Sequence, residues 1–476
     1  MPPADRSPLT RLVAALVAAR ALLRESLGGG TRDYTALPVP RAALLLAIPM
    51  ILEMAMESLF VIVDLYFVAG LGAEAVAAVG LTEAVLTIVY ALGLGLGMGA
   101  TALVARRIGE GDAAAARLVA AQTLWVGALV ATALCGIGAL YAVRILEAMG
   151  ATPAVVAVGS GYTRVMLAGS GTIACLFLFN GAWRGAGDAA LAMRVMWLAN
   201  GLNILLVPCL IHGLGPFPAL GVTGAAVATT CGRACGVALQ LLSFAGSGRR
   251  LCLAGRDLLP RPRVMLALLR VAFGGIAQLL VATSSWVVLM RLVAPHGSAA
   301  VAGYTIAIRL LAFSLLPAWG LANAAATLVG QHLGAGQPAQ AERAVWQVAR
   351  VSALAMLAVG VVSIACAPVL VGFFTDDPAV LTQGVSCLRI VAVGYGFYAV
   401  GMIVTQAFNG AGDTATPTLV NLVGFWLLQI PLAWALAAPL GFGPRGVFLA
   451  VLCAETFIAL LAAGLFRRGR WKLKGV

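Results

Sequence analysis

Charge is scarce in this chain of 476 residues: 10% are Asp, Glu, Lys or Arg, against about 25% in a soluble globular protein. That shortfall excludes an ordinary cytosolic enzyme, a disordered segment and a nucleic-acid binder that happens to be basic. Histidine is nearly missing. Its three copies, His212, His296 and His332, lie far apart, so no nucleophile–base pair or zinc motif can be assembled from them. The nine cysteines include no CxxC and no Cys/His cluster at metal-ligand spacing. Cys231 and Cys235 share a helix face and read as small core residues. No enzymatic centre, cofactor or nucleic-acid partner is expected.

What the chain has instead is hydrophobic length, with 62% of its residues apolar. A membrane-spanning helix needs about 20 mostly apolar residues. Such stretches recur over residues 44–68, 75–105, 119–142, 158–182, 192–212, 221–245, 264–292, 299–330, 346–371, 380–408, 416–438 and 446–466. The connections between them are too short to hold a soluble domain. The expected fold is therefore an all-α integral membrane protein with twelve transmembrane helices.

Net charge is +13, and its distribution sets the topology. With the N-terminus inside, 23 of the 31 basic residues fall on the cytoplasmic side, three fall opposite, and five lie within spans. Both termini are expected to be cytoplasmic, in a multi-pass protein of the plasma (inner) membrane whose basic rims meet membrane lipids. Residues 1–40 form an extension in which Arg11, Arg20 and Arg24 punctuate an apolar stretch, as in an amphipathic helix lying on the membrane. Residues 467–476 form a basic tail, and a monomer is expected.

Sliding the sequence against itself by 225 residues aligns its halves: Gly72 meets Gly297, Gly109 meets Gly334, and Gly185-Ala186-Gly187-Asp188 meets Gly410-Ala411-Gly412-Asp413. Six spans per half is an even number, so the two repeats are parallel. An N-lobe (41–250), a cytoplasmic linker (251–263) and a C-lobe (264–466) are expected around a central cleft, an arrangement suited to alternating access.

Three carboxylates, Glu53, Glu57 and Asp64, lie in the first span. Each costs roughly 2.5–3.5 kcal/mol at a span centre on insertion scales. Helical geometry puts Glu57 about 40° and Asp64 about 20° around the axis from Glu53, one stripe that must face the protein interior. Acids so placed can exchange protons, or hold a hard cation where other oxygens converge. A buried, hydrogen-bonded carboxylate without a transport role is the alternative reading, strongest for Glu57. Pro49 removes a backbone hydrogen bond and permits a bend. The 225-residue offset maps the three acids to Gln278, Ala282 and Leu289, so coupling is expected in the N-lobe.

The first span from Ala47-Ile48-Pro49 to Val63-Asp64, the Asn180-Gly181…Arg184-Gly185-Ala186-Gly187-Asp188 loop and its partner from Asn409 to Asp413 resemble the multidrug and toxic compound extrusion (MATE) family. Gly224–Thr229 and Thr327–Gln331 fit it too. The resemblance covers about residues 41–466 and implies a cation-coupled antiporter that exports amphipathic, often cationic, small molecules. It implies the prokaryotic DinF-like branch, in which an acid fifteen residues after a helix proline forms the N-lobe site. Pro49 and Asp64 have that separation, an asparagine maps to Asn203, and a threonine maps to Thr229. The pattern expects an aspartate where this chain has Val207. A sodium ion at Asp64 would need several oxygen ligands and a proton needs one base, so H+ is favoured over Na+ as the coupling ion. Acids expected on the seventh and tenth helices of NorM-like members are missing, with Gln278 nearest on the seventh.

Met54, Gln278, Trp286 and Trp319 are candidates to line the substrate cleft, with ordinary helix packing as the alternative. The run Gly93, Gly95, Gly97 and Gly99 reads as close helix packing. Asp188 and Asp413 read as helix caps. A lipid-linked precursor flippase of the same superfamily is the second functional reading; it would favour a cleft lined by several cationic residues.

Overall fold

Helices fill the computed structural model, which describes residues 17, 20–30, 32–246, 248 and 250–475. Twelve spans follow in order: α1 (Val39–Ala69), α2 (Ala73–Gly109), α3 (Ala113–Ala148), α4 (Pro153–Gly185), α5 (Ala189–His212), α6 (Val222–Ala245), α7 (Pro262–Val293), α8 (Ser298–Gly334), α9 (Pro338–Ala365), α10 (Pro378–Ala392 with Tyr395–Gly410), α11 (Ala415–Ala437) and α12 (Pro444–Arg467). Eleven are each long and apolar enough to cross a membrane, and α10 is a pair of helices meeting at 57°. The membrane-surface helix expected in residues 1–40 falls partly on residues outside those described; residues 20–28 are helical.

The repeat is visible in the backbone. Gly72 and Gly297, which align, open α2 and α8 with φ of 101° and 100°, a region that side chains other than glycine's rarely enter. The break in α4 at Gly169 aligns with the break in α10 at Gly394. Lobes meet through α1 and α2 of one half and α7 and α8 of the other. Their crossings are reciprocal. A Cβ on Gly95 would strike Ile276, and one on the aligned Gly320 would strike Ile51. A Cβ on Gly109 would strike Gln331, and one on the aligned Gly334 would strike Arg106. The glycine run in α2 does pack closely, with Gly95 and Gly99 against α7 and Gly93 and Gly97 against α4.

Hydrophobic burial follows the same symmetry. One core fills the N-lobe but takes in Leu268, Val271 and Ala272 from the start of α7. Another joins α8, α9, α10 and α12 but takes in Ala43, Leu46 and Ala47 from the start of α1. These triplets align at the 225-residue offset, so each lobe's first helix begins in the opposite lobe's core. Pro49 lies inside an unbroken α1. Its missing N–H leaves the Leu45 carbonyl without a helical donor, and the Ser26 hydroxyl donates to that carbonyl at 2.8 Å.

Two local expectations, the Asp413 cap and the core placement of Cys231 and Cys235, are corrected. Asp188 caps α5, accepting from Leu191 N at 3.2 Å. Asp413 caps nothing: it accepts from the Thr416 hydroxyl at 2.7 Å and pairs with Lys474 at 3.4 Å. Residues 470–473 of the basic tail turn back on the bundle, with Trp471 fully buried and stacked on Phe466 at 4.5 Å. Cys231 and Cys235 are exposed on α6; their shared face points out of the bundle, where lipid would cover it.

Candidate functional site

The acidic stripe of α1 faces inward and spreads over three environments. Glu53, one turn after Pro49, is fully buried. Its Oε1 accepts from the Arg184 guanidinium and, at 3.1 Å, from Asn180, whose own amide oxygen accepts from Gln240 at 2.6 Å. Glu57 is half-buried and accepts from Asn200 of α5 at 2.7 Å. Asp64 lies deeper toward the far end of α1, and its Oδ1 is buried with no hydrogen-bond partner. The charges felt there are those of Glu83 on α2 and Arg233 on α6.

Glu83 and Arg233 complete a charge cluster that the α1 stripe alone does not reveal. The buried Tyr162 of α4 lies beside Glu83. Arg233 is buried between the Phe60 and Tyr90 rings, 5.6 and 5.4 Å from their centroids, and donates to the Tyr90 hydroxyl. The N-lobe cluster thus holds the four acids Glu53, Glu57, Asp64 and Glu83, and Arg184 and Arg233 offset part of their charge. Glu83 falls inside the span expected over 75–105, where a lone acid was itself a signal.

Asn203 and Thr229 come together as a pair. Asn203 donates to the Thr229 hydroxyl at 2.7 Å, both are buried, and the Asn203 Oδ1 is left without a partner. Val207, where the resemblance expects an acid, is fully buried. Among the described residues, no group of three His, Cys, Asp or Glu side chains is placed to hold a metal ion.

Repeat symmetry relates one charged pair to a neutral one. At the 225-residue offset Glu53 meets Gln278 and Arg184 meets Asn409. The second couple is also bonded, Asn409 donating to the Gln278 Oε1 at 3.2 Å. The same two positions therefore tie the same two helices in each lobe, by an ion pair in one and by amides in the other.

Between the lobes lie two adjoining chambers of about 370 and 390 Å³, both walled by Met54, Met98, Trp319 and Gln406. Glu57, Glu83, Tyr90 and Arg184 line the N-lobe chamber. Gln278, Trp286, Tyr398, Phe425 and Glu455 line the C-lobe chamber. All four cleft candidates, Met54, Gln278, Trp286 and Trp319, therefore reach one cavity. Glu455 of α12 shows that the second half also carries an intramembrane acid. Comparison at aligned positions passes over it, because Glu455 aligns with Thr230.

Known proteins share this architecture. The family profile described as MatE matches twice, over residues 49–209 and 275–435, once in each repeat. The chain is 27% identical over 432 residues to a Thermotoga maritima protein named "Probable multidrug resistance protein NorM", covering 90% of this chain and 93% of that one. It is 26% identical over 439 residues to a Shewanella oneidensis FAD transporter, covering 90% and 95%. A solved MOP-superfamily transporter from Pyrococcus furiosus superposes with a TM-score of 0.85 at 27% identity, covering 95% of this chain and 99% of that one. Two matches to one family profile, each spanning a repeat, join the twelve-span fold and the reciprocal lobes in a single conclusion: the chain belongs to the multidrug and toxic compound extrusion family, and is a multi-pass membrane transporter and not an enzyme.

Proposed function

We propose that the protein is a proton-coupled antiporter of the family's DinF-like branch that exports amphipathic organic compounds, with Asp64 carrying the coupling proton. The observation that carries this reading is the buried, unpartnered Oδ1 of Asp64. A carboxylate placed there without a donor is costly unless it takes a proton or a cation. Asn203, with its own unpartnered oxygen, and Thr229 supply polar groups on the facing helices. Val207 supplies no oxygen, which favours a proton over a sodium ion. Glu57 is a secondary proton site, and Glu53, engaged by Arg184 and Asn180, acts mainly as a structural anion. The DinF-like assignment rests on the separation of Pro49 from Asp64.

The cavity wall speaks to substrate. Its ionisable groups among the described residues are the carboxylates of Glu57, Glu83 and Glu455, the Tyr90 and Tyr398 hydroxyls and one guanidinium, Arg184. Such a wall repels polyanions. It therefore argues against a lipid-linked pyrophosphate and against a dinucleotide of the kind named for the Shewanella relative. Apolar and aromatic surface with sparse negative charge fits amphipathic neutral or cationic drugs. The basic excess supports a cytoplasmic position for both termini, and the reading takes the protein to work as a monomer.

The test is dye or drug efflux from proteoliposomes under separately imposed proton and sodium gradients. Wild type is expected to respond to the proton gradient, and Asp64→Asn to lose most of that response. Undiminished gradient-driven efflux in Asp64→Asn would refute the assignment. Efflux driven by sodium alone would refute the inference from Val207.

A further inference from the structure

Two helices of the C-lobe carry a stripe that faces out of the bundle, and each stripe ends in an arginine. On α9 the exposed positions run Val361, Leu357, Leu354 and then Arg350, one helical face at intervals of three or four residues. Gln347 and Arg343 continue that face and are exposed too. On α12 the exposed positions run Phe457, Leu460, Gly464 and then Arg467. Apolar side chains on an outward face lie against lipid tails, so the change to arginine marks the depth at which tails give way to headgroups. Both arginines line one surface groove, which Trp346, Ala349 and Ala353 of α9 and Val400 of α10 also line. The Arg467 guanidinium stands over the Trp346 ring, 5.3 Å from its centroid.

Neither arginine has an ionic partner. The acid in the groove, Glu342, is taken by Lys472 at 2.5 Å, and among the described residues no carboxylate pairs with Arg350 or Arg467. Two unneutralised guanidiniums at headgroup depth match a phosphate, which accepts forked hydrogen bonds from each. The repeat shows that this pair is no requirement of the scaffold. At the 225-residue offset Arg350 meets Trp125 and Arg467 meets Leu242. There Trp125 donates to the Leu258 carbonyl at 2.7 Å and Gln122 to that of Leu259 at 3.1 Å, so the N-lobe covers the equivalent face with its own chain. We propose that the C-lobe groove between α9 and α12 binds an anionic phospholipid, with Arg350 and Arg467 on its phosphate and its acyl chains along the two apolar stripes. Net negative charge is specified over a zwitterionic headgroup, because the two guanidiniums face no anion of the protein's own. The site lies outside the cavity between the lobes and stands whether or not the protein couples efflux to protons.

Native mass spectrometry of the full chain, delipidated in detergent and titrated with phosphatidylglycerol or phosphatidylcholine of identical chains, tests this site. The first phosphatidylglycerol should bind wild type about tenfold more tightly than Arg350→Gln with Arg467→Gln, or about 1.4 kcal/mol. The first phosphatidylcholine should bind both alike. Arg256→Gln with Arg263→Gln removes the same charge from exposed positions elsewhere and should keep wild-type affinity. Arg350→Lys with Arg467→Lys keeps the charge without the fork; it should still prefer phosphatidylglycerol, and so reports on folding as well. The proposal is overturned if the glutamine pair at 350 and 467 binds phosphatidylglycerol as wild type does, or loses both lipids equally. It is also overturned if the pair at 256 and 263 weakens binding as much, or if wild type holds the two lipids equally. Excess inorganic phosphate should leave the lipid bound. Displacement of the lipid by it would make the groove a site for free phosphate and sink the lipid assignment.

Discussion

Replacing the Glu53–Arg184 ion pair by the amides found at the aligned positions of the C-lobe tests whether the two lobes share one scaffold. Glu53 is fully buried and the Arg184 side chain is 11% exposed, where it reaches the N-lobe chamber. Breaking a buried pair by removing one partner costs about 3–5 kcal/mol, because the other charge stays behind uncompensated. Arg184→Asn strands the more deeply buried charge and should lie at the upper end of that range. Glu53→Gln leaves Arg184 with cavity water and should lie near the lower end, about 3 kcal/mol. The double variant, Glu53→Gln with Arg184→Asn, recreates the Gln278–Asn409 couple, in which an amide donates to an amide oxygen at 3.2 Å. It should recover most of the loss, giving a coupling energy of about 2 kcal/mol or more in a double-mutant cycle. Thermal unfolding in one detergent at one pH reads the order: wild type and double variant highest, Glu53→Gln below them, Arg184→Asn lowest. A double variant as unstable as the two single losses added together would refute the reasoning, and so would Arg184→Asn being milder than Glu53→Gln.

The lobe contact and the α1 support give two further predictions. Gly334→Leu puts a side chain where Arg106 passes and should hold the crossing of α2 and α8 apart. In a background without native cysteines, Thr327→Cys, buried two turns before Gly334 on α8 and against α4 in the parent, should then react faster with a membrane-permeant maleimide; equal rates would contradict the crossing. Ser26→Ala leaves the Leu45 carbonyl without its donor and should cost about 1 kcal/mol, read as faster hydrogen exchange in the first turns of α1, and unchanged exchange there would show that the bond carries no weight.

The sequence disclosed the lobes because both of their signals are periodic. Apolar runs of spanning length mark each helix, and the 225-residue offset recovers Gly72 with Gly297 and Gly109 with Gly334. Glu53, Glu57 and Asp64 were legible for the same reason, since several acids on one helix make a stripe. Solitary charges make none. Glu83, Arg233 and Glu455 each stand alone in the apolar middle of their helices, and only packing brings the first two toward Asp64 or turns the third into a cavity. Asp413 was misread because its GAGD motif matches that of Asp188 while its surroundings do not: Thr416 and Lys474 take the carboxylate away from the helix end. Trp471 belongs to the basic tail, and local composition says nothing about the pocket it finds beside Phe466.

The exchange of first helices between lobes makes α1 a beam anchored at both ends in different bodies. Through Met50 it belongs to the core shared with α8, α9, α10 and α12; beyond it Glu53 and Glu57 bond to α4 and α5. Any rotation of one lobe against the other must therefore be absorbed within the few residues between these anchors, beside the one rung of the helix that Pro49 deletes. Ser26 props that gap from outside the helix. Lobe movement and the environment of the α1 acids are then a single mechanical degree of freedom, and under the proposed coupling a proton taken up at Asp64 acts on the N-lobe arm of a lever whose fulcrum lies at Pro49.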